Sequence, residues 1–255
     1  MMTVDAIILA GGRGTRLREV VDDRPKPMAD VAGRPFLEWL LLALRAKGIR
    51  RIILATGYKH EMISDYFGTG QAYGLELVYA PEPAPLGTGG AVRHALPHIN
   101  TDRVVVLNGD SYCPFDLELL IQQHGQIEAA ISLWLVQMED CSRYGSVEKE
   151  DNGRVTAFRE KTPELRNGFI NAGVYLIEKY VIERIPIDQK ISLETDIFPS
   201  LVGQKLYAVA GEGPFLDIGT PESYRQAATY LKTEFETGYN RFLIQKLFGK
   251  TVKEL

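Results

Sequence analysis

Gly11-Gly12-Arg13-Gly14-Thr15-Arg16 follows directly on the apolar run Ala6-Ile7-Ile8-Leu9-Ala10, and the triplet Pro25-Lys26-Pro27 comes shortly after. A turn needs one glycine, not three. Glycines let a backbone bend sharply and approach a ligand closely. Successive N–H groups exposed in such a turn form an anion-binding concavity. Arg16 adds a forked donor suited to phosphate oxygens. Pro25 and Pro27 fix the chain on either side of Lys26 and so aim its ammonium. Arg13 is either a further phosphate contact or an exposed charge. This assembly suits a polyanion; a strand, turn and helix with surface charges alone is the bland alternative.

Two other glycine patterns fail on single residues. Leu17 stands where a dinucleotide fingerprint needs its third glycine. Gly249-Lys250-Thr251 ends like a phosphate loop, but Ile244 occupies the place of its first glycine. His94 and His98 are separated by Pro97 and have no acidic partner in the frame of a zinc motif, so no soft-metal site is expected.

Carboxylates offer the complementary chemistry. Asp110 follows Gly109 at the end of the apolar run Arg103 to Asn108, where a hard cation would find an oxygen ligand. Asp217 sits between Leu216 and Ile218, an odd place for an unpaired charge. Each could instead cap a turn. Asn171, before Ala172-Gly173, could donate to and accept from hydroxyls or simply occupy a turn, and Glu160-Lys161 on its own reads as a charged turn.

The elements that must position these groups alternate. Ala6 to Ala10, Arg51 to Ala55, Leu75 to Ala80 and Arg103 to Asn108 read as buried strands, and Phe36 to Lys47, Glu61 to Phe67 and Thr88 to Leu96 as helices. In the first helix Phe36, Leu37, Leu40, Leu41 and Leu44 should face inward, with Gly48 as the stop. Such alternation predicts an α/β fold with a mainly parallel sheet covered on both faces, and ligands bind beyond the carboxyl ends of its strands. Gly11 to Arg16, Pro85 to Gly90 and Asn108-Gly109-Asp110 all fall there. Later, Ala129 to Val136, Val174 to Ile177 and Leu206 to Ala210 read as strands, around a charged, turn-rich stretch from Glu139 to Gly168. Thr220 should cap a helix that has Pro221 at its first position. A single domain over 1–255 is expected, with parts 1–128 and 129–232, the later one covering the substrate, and a helical tail over 233–255. That tail packs on the body or forms a subunit contact, so a homo-oligomer is possible.

Composition narrows the classes. The 255 residues carry a net charge of -4, with no basic run that would suit nucleic acid. The two cysteines, Cys113 and Cys141, are too few for a disulfide framework and are expected to be reduced. No apolar stretch approaches the ~20 residues that span a bilayer. Met1-Met2-Thr3 leads into Asp5 with no basic leader, so the cytosol is the expected compartment.

The motifs in order resemble those of the sugar-1-phosphate nucleotidyltransferases. Gly11 to Leu17 with Pro25-Lys26-Pro27 is similar to the family's signature, although Glu19 stands where many members have proline. Leu86-Gly87-Thr88-Gly89-Gly90-Ala91 resembles its second nucleotide loop. Leu107-Asn108-Gly109-Asp110 and Phe215-Leu216-Asp217-Ile218-Gly219-Thr220-Pro221 resemble its two metal sites. Tyr144-Gly145, Glu160-Lys161 and Asn171-Ala172-Gly173 resemble its sugar-phosphate contacts. The matches span residues 6 to 224.

The resemblance implies a Rossmann-like, GT-A-like fold and a reaction between a nucleoside triphosphate and a sugar 1-phosphate that releases pyrophosphate. It implies Mg²⁺ on Asp110 and Asp217, and Arg16, Lys26 and Asp110 as catalytic residues. It assigns nucleotide contacts to Leu9, Ala10, Gly11, Gly12, Gly14, Thr15, Glu82, Gly87, Thr88 and Gly109, and sugar-phosphate contacts to Gly145, Glu160, Lys161 and Asn171. Both reactants are polyanions and the attacking phosphate is already ionised, so positioning and charge neutralisation suffice without a general base. Within the family the chain looks most like members that guanylylate D-glycero-D-manno-heptose 1-phosphate. Mannose, glucose or muramic acid 1-phosphate with another nucleotide is the alternative. A binding-only regulatory subunit would be expected to lose a metal carboxylate.

Overall fold

The computed structural model describes residues 4–12, 23–159 and 166–237, together with Gln245 and Gly249. The expected contacts Gly14, Thr15, Arg16, Glu160 and Lys161, with Arg13, lie outside the described residues, as does nearly all of the tail past Thr237.

The elements, in chain order, are β1 (Asp5–Ala10), β2 (Asp30–Val31), β3 (Arg34–Pro35), α1 (Phe36–Ala46), β4 (Arg51–Thr56), α2 (His60–Phe67), β5 (Glu76–Pro81), α3 (Gly87–Ala95), β6 (Arg103–Asn108), β7 (Ser111–Tyr112), α4 (Leu117–Gln126), β8 (Ile131–Asp140), β9 (Ser146–Lys149), β10 (Val155–Arg159), β11 (Arg166–Glu178), α5 (Lys179–Glu183), α6 (Phe198–Leu201), β12 (Leu206–Gly211), β13 (Leu216–Asp217) and α7 (Pro221–Thr237). Among the described residues, nine strands form one sheet, whose main path runs β10-β9-β11-β6-β1-β4-β5, with β8 on β11 and β12 on β8. β6, β1, β4 and β5 run parallel. β11 joins β6 and β8 antiparallel.

Alternation along the strands sends side chains to opposite faces. Ala6, Ile8, Ile52, Leu54, Val105 and Leu107 meet apolar residues of α1, α2, α4 and α7. Ile7, Ile53, Val104 and Val106 meet those of α3, α5 and α6. The expected helix at Phe36 ends at Ala46, with Gly48 at φ +92° just beyond its cap. It is buried on more than the expected stripe, since Trp39, Leu42 and Ala43 are covered too. Trp39 is covered by α7, whose Phe235 ring stands 4.9 Å from it.

The second half holds more strand than its sequence shows. β11 extends from Arg166, well before the expected Val174, because its register on β8 is interrupted between Asn171 and Tyr175, and Gly173 takes φ +70° there. That bulge hides the strand's periodicity. The stretch read as turns contains β9 and β10, an antiparallel pair at the sheet's edge. Cys113 and Cys141 are free and buried. Among the described residues no helix is long and apolar enough to cross a membrane.

Candidate functional site

The glycine turn begins where β1 ends. Gly11 lies against Gly57, after β4, and against Glu82, after β5: a methyl group on Gly11 would stand 2.5 Å from Glu82 Oε1. Glu82 is anchored by its own N–H to Thr56 O (2.8 Å), and its Oε2 accepts from Leu86 N–H (2.9 Å). Burial pushes its carboxyl above the usual range, against the hydrogen bond from Leu86 and the nearby His94. Gly109 N–H donates to Leu9 O (3.0 Å), which ties the end of β6 to the end of β1. The expected nucleotide contacts Leu9, Ala10, Gly11, Gly12, Glu82 and Gly109 thus stand at the carboxyl ends of neighbouring strands, which is where a doubly covered sheet binds ligands.

Beside them, Pro25 and Pro27 are buried and hold a single 3₁₀ turn, Lys26–Met28. Lys26 Nζ donates to Asp110 Oδ2 at 2.6 Å. The Lys26 side chain is 14% exposed and that of Asp110 46%, so the carboxylate opens towards solvent while the ammonium sits behind it.

Asp217 reaches the same place by a separate route. β13 pairs with β7, Asp217 opposite Ser111, and Ile218 N–H donates to Asp110 O (3.0 Å). A methyl group on Gly219 would stand 2.9 Å from Asp217 Oδ1 and 3.5 Å from Lys26 Nζ. Asp217 Oδ1 accepts from Gly219 N–H (2.7 Å) and Ser223 Oγ (2.9 Å). Its Oδ2 accepts from Tyr144 Oη (2.6 Å) and Arg143 (3.2 Å). Burial alone would raise the Asp217 carboxyl. The hydrogen bonds from Tyr144, Gly219 and Ser223, with the charge of Arg143, outweigh it and hold the group below the usual carboxylate range. Thr220 caps α7 as expected: its Oγ1 accepts from Ser223 N–H (3.3 Å), while Ser223 Oγ accepts from Thr220 N–H (3.2 Å).

A divalent cation fits this donor set. Hard cations take carboxylate oxygens and fill their remaining positions with water and substrate phosphates. Asp110, with Lys26 as its one hydrogen-bonding side chain among the described residues, offers open oxygen. Asp217 is near, with two hydrogen bonds already on each oxygen, so a cation would have to displace one of them. No group of three or more His, Cys, Asp or Glu gathers among the described residues.

The second glycine loop also packs against another segment of the chain. Gly87 has φ +72°, and a methyl group on it would meet Ile191 O at 2.5 Å. Gly89 and Gly90 N–H both donate to Ile191 O (2.9 and 3.1 Å). These glycines therefore make room for the segment before β12 as well as for any ligand. The Thr88 hydroxyl is also engaged: it donates to Glu194 Oε2 (2.6 Å) and accepts from Leu193 N–H (2.8 Å). On the sugar-phosphate side, Asn171 N–H donates to Gly145 O (2.8 Å), which brings those two together. Sequence reasoning passed over Arg143, Ser223 and Glu194. Ser223 was findable, three residues past a capping threonine; Arg143 and Glu194 carry no local signal.

Comparison with known proteins bears on this geometry. A family model described as "Nucleotidyl transferase" matches residues 5–234. The D-glycero-alpha-D-manno-heptose 1-phosphate guanylyltransferase of Aneurinibacillus thermoaerophilus is 40% identical over 230 residues, 90% of this chain and 99% of that protein. The mannose-1-phosphate guanylyltransferase of Mycobacterium tuberculosis is 40% identical over 224 residues, 87% of this chain and 62% of its own length. The crystal structure of HddC from Yersinia pseudotuberculosis complexed with GMP-PN superposes with a TM-score of 0.80 at 36% identity, covering 89% of this chain and 99% of that one. The strand-end glycines, the paired lysine and aspartate and the second aspartate beside them thus stand in a chain that belongs to the nucleotidyl transferase family.

Proposed function

We propose that the protein transfers a guanylyl group from GTP to D-glycero-α-D-manno-heptose 1-phosphate, giving GDP-heptose and pyrophosphate with Mg²⁺, in the cytosol. The observation that carries the chemistry is the meeting of Lys26, Asp110 and Asp217 beside the carboxyl ends of β1 and β6. The names and full-length match of the heptose guanylyltransferases support the substrates.

A phosphate oxygen of the sugar attacks the α-phosphorus of the triphosphate. The new O–P bond forms as the α–β bridging bond breaks, and pyrophosphate leaves with the electron pair. The nucleophile is ionised near neutral pH, the second phosphate pKa being about 6, so no residue removes a proton. Lys26, fixed by its prolines, neutralises charge where it builds up. Gly11, Gly12 and Gly14 offer backbone N–H groups to the triphosphate, and Arg16 a forked donor. Leu9, Ala10, Gly109 and the turn at Gly87 and Thr88 line the nucleotide. Glu82 faces donors on the base. Lys161 holds the sugar's phosphate; Glu160, Asn171 and the backbone at Gly145 hold its hydroxyls. Asp110 and Asp217 would bind Mg²⁺, which supplies charge neutralisation on the phosphates and nothing redox.

Mannose 1-phosphate is the second reading, supported by the Mycobacterium tuberculosis relative. A binding-only role has no support, since both carboxylates are present. The test is pyrophosphate release with Mg²⁺ over a grid of GTP, UTP, dTTP, CTP and ATP against heptose, mannose, glucose and N-acetylglucosamine 1-phosphates. Release confined to GTP with the heptose is the expected result. Release confined to another pair replaces the substrates and keeps the chemistry, and silence from folded protein across the grid overturns both.

A further inference from the structure

We propose that Glu194 is a positioning residue that joins the Gly87–Gly90 turn to Asn171, and so fixes the nucleotide side of the site relative to the sugar-phosphate side; this rests on the roles just proposed for those two loops.

Glu194 lies in a π-helical turn, Leu193–Ile197, ahead of α6. Such turns are rare and concentrate at functional positions. Its carboxylate receives three hydroxyls. Thr88 Oγ1 and Ser192 Oγ donate to Oε2 at 2.6 and 2.9 Å, and Tyr175 Oη donates to Oε1 at 3.1 Å. Tyr175 is fully buried. Its oxygen in turn accepts from Asn171 Nδ2 (2.9 Å), and Asn171 Oδ1 accepts from Gly173 N–H (3.0 Å) inside the β11 bulge. The segment carrying Glu194 also grips the turn by its backbone. Ile191 N–H donates to Leu86 O (2.9 Å), and Leu193 N–H donates to Thr88 Oγ1 (2.8 Å).

The direction of every proton in this chain follows from its end. A carboxylate only accepts. Tyr175 must therefore donate to Glu194, which leaves its lone pairs for the amides of Asn171 and Asn108. That fixes the Asn171 side chain with nitrogen towards Tyr175 and oxygen towards Gly173. Among the described residues, the second hydrogen on Nδ2 and the second lone pair on Oδ1 have no partner and are left for a ligand. An uncharged amide at 194 breaks the logic. If its oxygen keeps Thr88 and Ser192, its NH₂ faces Tyr175, whose oxygen then meets donors on both sides. The tyrosine proton loses its acceptor, and the cheapest relief is a turn of Asn171. A buried network half-satisfied in this way costs more than one removed.

The variants Glu194→Gln, Tyr175→Phe, Thr88→Val and the Glu194→Gln/Tyr175→Phe pair test this. Steady-state kinetics with the best pair from the grid, thermal melting, and the Asn171 side-chain amide resonances in ¹⁵N-labelled protein, assigned by their loss in Asn171→Ser, are the readouts. Glu194→Gln should raise KM for both substrates about tenfold or more. Thr88→Val should raise only the nucleotide's KM, and Tyr175→Phe only the sugar phosphate's. The pair should be no worse than Glu194→Gln alone, since Phe removes the orphaned proton. The Asn171 resonances should move in Glu194→Gln. Unmoved Asn171 resonances, or KM changes that add across the pair and track the loss of melting temperature, overturn the proposal. If the wild type is inactive on every substrate pair, the reading of function fails, and the Asn171 resonances still decide the network.

Discussion

Lys26 Nζ stands 2.6 Å from Asp110 Oδ2 across 84 positions of sequence, and each of the two has a rigid mount. The lysine sits on a turn between buried prolines, the aspartate just past the end of a central parallel strand. A contact made by two such mounts is preorganised. Lys26→Ala should lower kcat/KM by about 100- to 1,000-fold, the loss typical of removing one preorganised charge-stabilising donor. Asp110→Asn should abolish turnover. Both should melt within a few degrees of wild type, because the Asp110 carboxylate is half exposed. Kinetics alongside calorimetry checks this; a Lys26→Ala enzyme with near-normal kcat/KM would remove the pair from the mechanism.

His124 should make stability fall in mild acid. Its ring is buried between Ser132 Oγ, 2.8 Å from Nδ1, and Glu178 Oε1, 3.0 Å from Nε2, and Arg103 reaches the same carboxylate at 3.1 Å. Burial pushes its pKa down, against the hydrogen bond and charge of Glu178, with Arg103 pushing the same way as burial. The unfolded chain therefore takes up a proton near pH 6.5 that the folded one refuses. Above that pH the group has no effect. Below it, stability drops by up to about 1.4 kcal/mol per pH unit until the folded pKa is passed. Urea midpoints at pH 5.5 and 7.5 should differ more in wild type than in His124→Gln, and equal differences would remove His124 as the cause.

Gly87→Ala should destabilise for two reasons that add. The left-handed φ costs a side chain about 1–2 kcal/mol, and the new methyl would stand 2.5 Å from the Ile191 carbonyl. A fall in Tm of about 5 °C or more is expected for a chain of this size. An unchanged Tm would mean that the turn and the Ile191 segment are not packed together.

Phe235→Ala should cost about 3–5 kcal/mol, as for other buried aromatic truncations. The ring is fully buried and lies 4.9 Å from Trp39 and 6.3 Å from Tyr112. Denaturant unfolding measures it. A loss under ~1 kcal/mol would show that α7 only rests on the body.

The parallel strands were legible because they are buried on both faces: Ala6 to Ala10 and Arg103 to Asn108 are nearly unbroken apolar runs. β9 and β10 were not. Ser146–Lys149 and Val155–Arg159 are short, charged and at an edge, so neither length nor alternation marks them. Asn171-Ala172-Gly173 read as a motif but not as part of a strand, because a bulge breaks the period that identifies strands. In the candidate site, Gly11, Gly12, Lys26 and both aspartates could be picked out from residue type and position. Glu194 could not. Its importance lies wholly in what the fold brings to it: Thr88 from 106 residues away and Tyr175 from 19.

β11 lends one edge to both halves of the molecule. Its early residues Phe169 and Ile170 pair with β9, and Val174 to Glu178 pair with β6. A fragment ending at 128 would leave β6 without that partner, and Arg103-Val104-Val105-Val106-Leu107-Asn108 would become a naked, apolar rim able to recruit strands from other molecules. Synthesis on the ribosome passes through that state. Until β11 emerges, that edge of β6 has no partner, so a chain stopped before β11 should aggregate more readily than the whole.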